Sequence, residues 1–236
     1  MTTAVEETTG SIPDGAPARS PLRTVLLLVI AVALVLLGGG AAVAFGVGRS
    51  DPPAAGSVDA GFAWDMSRHH LQGVEMANLV ADHSTDPVIR SLGFDIAATQ
   101  TNQVGRMQGW LSLWGLPQTN PNAPMAWMGG MSGGGMAGMP GMAGTTDPGA
   151  LMPGMATDQE LTQLAGLKGT AFDVQFLRLM IRHHQGGLAM AQYAEAHASE
   201  PAVRTLARSI AESQTAEVAT MKQLLSARGG TPLSAP

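Results

Sequence analysis

The six histidines of this 236-residue chain form two copies of one pattern. His69, His70 and His83 recur as His183, His184 and His197, each 114 residues further on. Methionines repeat with them: Met66, Met76 and Met107 map onto Met180, Met190 and Met221. Met66 precedes His69 by three residues and His70 by four, and Met180 stands in the same relation to His183 and His184. On a helix these spacings put the side chains on one face, with Cβ atoms about 5–6 Å apart. That is chelating distance for a bound ion. Thioether plus imidazole suits copper, above all Cu(I). The oxygen-rich set that Ca²⁺ or Mg²⁺ would need is absent. The chain has no cysteine, so thiolate zinc sites, disulfides and cysteine nucleophiles are excluded. The competing reading is structural: a methionine at a heptad position packs a core, and a buried histidine is satisfied by hydrogen bonds.

His83 and His197 stand apart from the pairs. Each lies fourteen residues beyond the first histidine of its copy, about 21 Å along a helix. They cannot share an ion with that histidine, and they read as residues that end helices, where a histidine meets the helix dipole favourably. A second methionine signal lies between the copies. Met125, Met128, Met131, Met136, Met139, Met142, Met152 and Met155 punctuate a Gly-rich stretch. Flexible thioethers of this kind can collect Cu(I) or be sacrificed to oxidants.

These residues must be positioned by helices. Phe62, Met66, His69, Gly73, Met76, Val80 and His83 alternate in steps of four and three, which is one heptad stripe. Phe176, Met180, His183, Gly187, Met190, Ala194 and His197 are its copy. Breaks follow at Ser84–Pro87 and Ser199–Pro201, with Pro suited to open the next helix. Those second helices carry Gln100, Gln103 and Met107, copied as Gln214, Glu217 and Met221. Folding each hairpin at its break brings His69 and His70 level with Gln100 and Thr101, and His183 and His184 level with Gln214 and Thr215. A polar layer inside an apolar bundle follows, built twice. Before the second copy, Thr157 and Glu160 have the spacing of a capping box that opens a short extra helix to about Leu167.

The di-iron bundle pattern needs Glu-x-x-His pairs, which the chain lacks, and Glu217 is the only acid at the layer. No phosphate loop, dinucleotide fingerprint or nucleophile elbow is present. A net charge of −5 argues against nucleic acid as a partner. Residues 24–47 carry no charge and are long enough to span a bilayer. Arg19 and Arg23 precede them, which puts the N-terminus inside and the rest outside. A cleaved secretion signal is the alternative.

The chain resembles the bacterial family called domain of unknown function 305. The second copy carries the likeness in Phe172-Asp173, Phe176, Met180, His183-His184-Gln185-Gly186, Met190-Ala191, Gln214 and Glu217. The first is a looser copy: Phe62, Met66, His69-His70, Gly73, Met76-Ala77, Gln100 and Gln103. The resemblance implies a ferritin-like helical bundle, secreted or membrane-anchored, with copper binding in some members and no settled activity for the family. Arg68 and Arg182 stand where a Pro is common before the His pair, and the first copy lacks the His-Gln-Gly run.

The expectation is therefore all-α: a four-helix, ferritin-like bundle of two duplicated hairpins behind a transmembrane helix. Its parts are a disordered tail (1–20), an anchor (21–48), a linker (49–58), the first hairpin (59–115), a Gly/Met-rich linker (116–156), a short helix with the second hairpin (157–230) and a tail (231–236). The expected function is non-enzymatic copper sequestration or hand-over. Met180, His183 and His184 are the first ligands and Met66, His69 and His70 the weaker copy, supported by Gln214, Glu217, Met221 and Met107. A helical interaction module without metal is the alternative, and a metal-dependent oxidoreductase the third.

Overall fold

The structure, a computed structural model, describes residues 21–44, 51–129 and 150–235. The tail 1–20, the end of the anchor (45–48) and Met131, Met136, Met139 and Met142 lie outside the described residues. Among the described residues all regular structure is helical: α1 (Pro21–Ala44), α2 (Val58–His83), α3 (Pro87–Leu113), a single 3₁₀ turn (Ala126–Met128), α4 (Asp158–Gly166), α5 (Gly169–His197) and α6 (Pro201–Ala227). The all-α expectation holds, as do both predicted hairpin breaks.

The chain divides into two compact units at Asp51 and Pro52. In the first, Pro21–Ala41 has a mean hydropathy of 2.6. It is apolar on every side, long enough to cross a membrane, and its Leu and Val side chains are exposed.

In the second unit α2 packs along α3, α5 along α6, and α2 crosses α5. Local chemistry sets the helix ends. Ser57 caps α2 by accepting from Ala60 N. Asp86 caps α3 through Val88 N, with Pro87 in the first turn. Thr157 and Glu160 form the complete capping box of α4, whose C-cap is Leu167. The turn before α6 is capped from another hairpin: Asp59 of α2 accepts from Ser199 N and Glu200 N at 3.1 and 2.8 Å.

The apolar core is in two parts. One gathers Phe62, Met66, Met107, Met190 and Ile210 with Met125, Met128, Met152 and Met155. The other gathers Met76, Val80, Ile96, Phe172, Phe176, Met180 and Met221. The described flanks of the Gly/Met-rich segment thus belong to the core, and Met128 and Met152 are fully buried. Asp65, itself buried, seats the first flank by accepting from Asn120 Nδ2, Met125 N and Trp127 Nε1. A Cβ at Gly61 would lie 2.2 Å from Trp127 Cγ, so only glycine lets that indole lie on α2. A buried carboxylate is stable there because three donors meet it.

Candidate metal centre

His69, His70, His183 and His184 all have zero exposure. The heptad stripes that carry them face each other where α2 and α5 cross. The rings of His69 and His183 stack with centroids 3.8 Å apart and planes at 33°. His70 and His184 flank them, 6.3 and 6.1 Å from the neighbouring ring on their own helix. The two histidine pairs expected as separate sets therefore meet in one layer.

Glycine makes that meeting possible. Gly73 and Gly187 occupy heptad positions where a side chain would fill the crossing. A Cβ at Gly73 would come 2.2 Å from Gln100 Oε1 and 3.0 Å from His183 Cε1. A Cβ at Gly187 would come 3.0 Å from the Gln214 amide and 3.1 Å from His69 Cε1. Each hairpin thus offers a notch, floored by its own glutamine, to the first histidine of the other hairpin. The missing Cβ in an otherwise bulky stripe was the sequence signal for this exchange.

Hydrogen bonds fix the tautomers. His70 Nε2 donates to Gln103 Oε1 at 2.7 Å and His184 Nε2 to Glu217 Oε2 at 2.6 Å. His183 Nε2 donates to the carbonyl of His69 at 2.9 Å and His69 Nε2 to that of Pro153 at 3.2 Å. Every partner is an oxygen, so in each ring Nε2 carries a proton. All four Nδ1 atoms are buried without a protein hydrogen-bond partner, as are Gln100 Oε1 and both polar atoms of the Gln214 amide. Burial drives the basicity of His69 down to about 4 and that of His70 to about 3, and holds His183 well below its usual 6.5. The neighbouring imidazoles add a smaller push in the same direction. These three rings are neutral at pH 7, the form in which a lone pair is available.

Met66 and Met180 lie one turn before the histidines of their own helices. Met66 and Met107 are together in one core cluster, and Met180 and Met221 in the other, as the hairpin register required. Thr101 and Thr215 are level with the layer but exposed. His83 ends α2 and donates through Nδ1 to the carbonyl of Leu167, the C-cap of α4, at 2.7 Å. His197 ends α5, exposed, with its ring 4.3 Å from that of Tyr193. Both lie away from the layer.

Three contacts had no signature in the spacing. The turn Met152–Met155 lies on α5, where a Cβ at Gly186 would sit 2.0 Å from Pro153 O. Gln72 clamps Ala156 with two bonds, Oε1 accepting from its N–H at 2.7 Å and Nε2 donating to its C=O at 2.9 Å. Arg182 ties α5 to Glu160 of α4 at 2.6 and 2.9 Å.

Among the described residues no three His, Asp or Glu side chains are grouped closely enough to hold an ion. Hard cations that demand several carboxylates do not fit. Imidazole nitrogens and thioethers are donors of the kind a soft ion takes. A hydrogen bond from one ring nitrogen to an oxygen is also what orients an imidazole whose other nitrogen meets a metal.

The profile of the family described as domain of unknown function (DUF305) matches residues 59–225. A crystal structure of a DUF305 protein from Streptomyces coelicolor is 42% identical, with a TM-score of 0.67, covering 77% of this chain and 99% of that one. A DUF305 fragment from Deinococcus radiodurans is 32% identical, with a TM-score of 0.56, covering 72% and 95%. CopM in its Cu(I)-bound form shares the fold at 24% identity and a TM-score of 0.51, covering 71% and 95%. None of the curated proteins matches the chain. The chain belongs to the DUF305 family.

Proposed function

We propose that this DUF305 protein binds a soft metal ion, copper in the first instance, at the layer where its two hairpins cross. The observation that carries the reading is the set of four buried imidazoles with Nε2–H bonds to oxygen and Nδ1 atoms without a hydrogen-bond partner. A buried acceptor without a donor is costly, and an ion removes that cost for each ring it binds. Met180, His183 and His184 are the first ligands, and Met66, His69 and His70 the second set. Gln214, Glu217, Met221 and Met107 support them. The role is sequestration or hand-over, with no chemical turnover. The apolar helix α1 is the membrane anchor, with Arg19 and Arg23 on the inner side and the bundle outside. A cleaved secretion signal would also place the bundle outside.

The competing reading is a helical module that uses its histidines only to knit helices. The four Nε2–H bonds would serve it, but they satisfy one nitrogen of each ring and leave the other bare. The test is titration of the full chain in detergent micelles with Cu(I) against a competing chelator. His183→Ala with His184→Ala is expected to lose the tight site, at least tenfold in affinity. Unchanged affinity and stoichiometry in that double variant would remove the metal reading in favour of the structural one.

A further inference from the structure

The histidine layer has two faces, and they differ. On the side of α2 and α5 it is closed. Met152 and Met155 are buried, and Pro153 O receives the His69 proton. Gly186 and Gly154 bring the backbones so close that a Cβ on either would collide, at 2.0 Å with Pro153 O and 2.4 Å with Arg182 O. Gln72 holds the end of the turn through both polar atoms of its amide. No ion could pass without unseating that turn.

Between α3 and α6 the layer comes near the surface. A narrow crevice of about 10 Å³ lies there, lined by Ile96, Thr99, Gln100, Gln103, Ser213, Gln214 and Glu217. The order of these residues from outside to inside is chemical. Thr99 is exposed and Ser213 half-exposed at the lips. The side chain of Glu217 is 31% exposed, while its bonded partner His184 has none. Gln100, Gln103 and Gln214 are 4, 8 and 3% exposed. The Gln100 and Gln214 amides reach the notches at Gly73 and Gly187, where they border His183 and His69. Their buried oxygens have no protein hydrogen-bond partner. Two nine-tenths-buried amides with unused oxygens, aimed along a passage, are not a packing solution. An apolar pair would fill the same space without the desolvation cost.

We propose that this crevice is the port by which a metal cation reaches the histidine layer. Glu217 attracts the cation at the mouth. The amide oxygens of Gln100 and Gln214 replace its waters one by one, before Nδ1 and thioether ligands take it. The crevice has room for about one water, so it passes a cation only as its waters are shed. It excludes a bulky chelate or a peptide-bound ion, which must release its cargo at the mouth. This inference rests on the metal reading of the histidine layer, and the experiment separates the two.

The chain has no native cysteine, so Thr99→Cys in the full chain can be alkylated at one place after folding. Adducts of iodoacetamide and of a pyrene maleimide both remove the thiol and differ chiefly in bulk. Uptake of Ag(I) and Cu(I) is followed by stopped flow, with His183→Ala/His184→Ala as the control for the destination. The bulky adduct is expected to slow uptake at least tenfold relative to the small one, with the final stoichiometry unchanged. Gln72→Ala, which loosens the closed face, should leave the rate as it is. Equal rates for the two adducts, or a rate that rises with Gln72→Ala, overturn the port. The metal reading itself survives that result if the double histidine variant still abolishes uptake. Uptake that ignores the double variant overturns both.

Discussion

Laid over one another at an offset of 114 residues, the two hairpins agree where they face each other and diverge where they face the rest of the chain. His69 and His183, Gly73 and Gly187, and Gln100 and Gln214 are identical pairs, and each pair builds the crossing. Gly61 and Asp65 of α2, which seat Trp127 and the chain before it, correspond to Gln175 and Leu179 of α5. Gln72 and Gly186 are equivalent positions, and both hold the Met152–Ala156 stretch, one with a bidentate amide and the other by having no side chain. Arg68 is exposed while Arg182 is buried against Glu160. The intervening segment has thus been fitted to two equivalent surfaces by unlike means, while the layer they share has kept its histidine, glycine and buried glutamine pairs.

The largest test strikes the shared part. Burial lowers the proton affinity of His69 to about 4 and of His70 to about 3, from 6.5, and that of His183 well below 6.5. Below about pH 6.5 the unfolded chain therefore binds more protons than the folded one. Stability without metal is complete above that pH and is lost as the pH falls through 6.5 towards 4 and 3. For His69 alone the loss is on the order of 3 kcal/mol. Denaturant midpoints measured between pH 7.5 and 4 should fall steeply in this window. His69→Gln, which removes one of these groups, should flatten the curve. A midpoint independent of pH down to 4 would show that the layer opens to water on its own.

A smaller effect separates the two ways of holding the intervening segment. In Gly186→Ala the new methyl meets backbone oxygen that no rotamer change can move. The turn must lift, and the net cost is about 2 kcal/mol after the helix-propensity gain of alanine. In Gln72→Ala two hydrogen bonds to a buried backbone are lost, for about 1 kcal/mol. Limited proteolysis should cut near residues 150–156 faster in both, with Gly186→Ala the more sensitive. Equal resistance in both variants would mean that the turn is held elsewhere, by Arg182 and Glu160.

Much of this arrangement was legible from residue spacing. Period and breaks placed the helices, and the capping box at Thr157 and Glu160 named α4 and its end. Hairpin register set His69 and His70 level with Gln100 and Thr101, and His183 and His184 level with Gln214 and Thr215; the bonded partners lie about one turn further on, Gln103 for His70 and Glu217 for His184. What escaped was everything decided between hairpins. Which glutamine floors which histidine depends on how α2 crosses α5, and a heptad stripe does not say what it faces. Burial of Met125, Met128, Met152 and Met155 also escaped. Low complexity reads as a tether, yet a few apolar side chains and one well-placed acceptor, Asp65, anchor such a stretch. A lone acid between Trp64 and Met66 on an apolar stripe was the available hint.

The finest distinction is the side-chain acceptor that differs inside the layer. His70 donates to the neutral amide of Gln103, and His184 to the carboxylate of Glu217. A carboxylate partner makes an imidazole a stronger donor to metal through its other nitrogen, and losing such a partner typically weakens a site tenfold or more. Glu217 can bear this charge because its side chain is 31% exposed. Gln103, at 8%, lies deeper, where an unpaired carboxylate would be destabilising. Glu217→Gln, which makes the two hairpins alike, should lower Cu(I) affinity about tenfold and change stability by less than about 0.5 kcal/mol. Gln103→Glu should destabilise the metal-free protein and recover only when the ion is added. If Glu217→Gln binds as tightly as the parent, the difference between the hairpins ends at the intervening segment, and their two histidine pairs are equivalent donors.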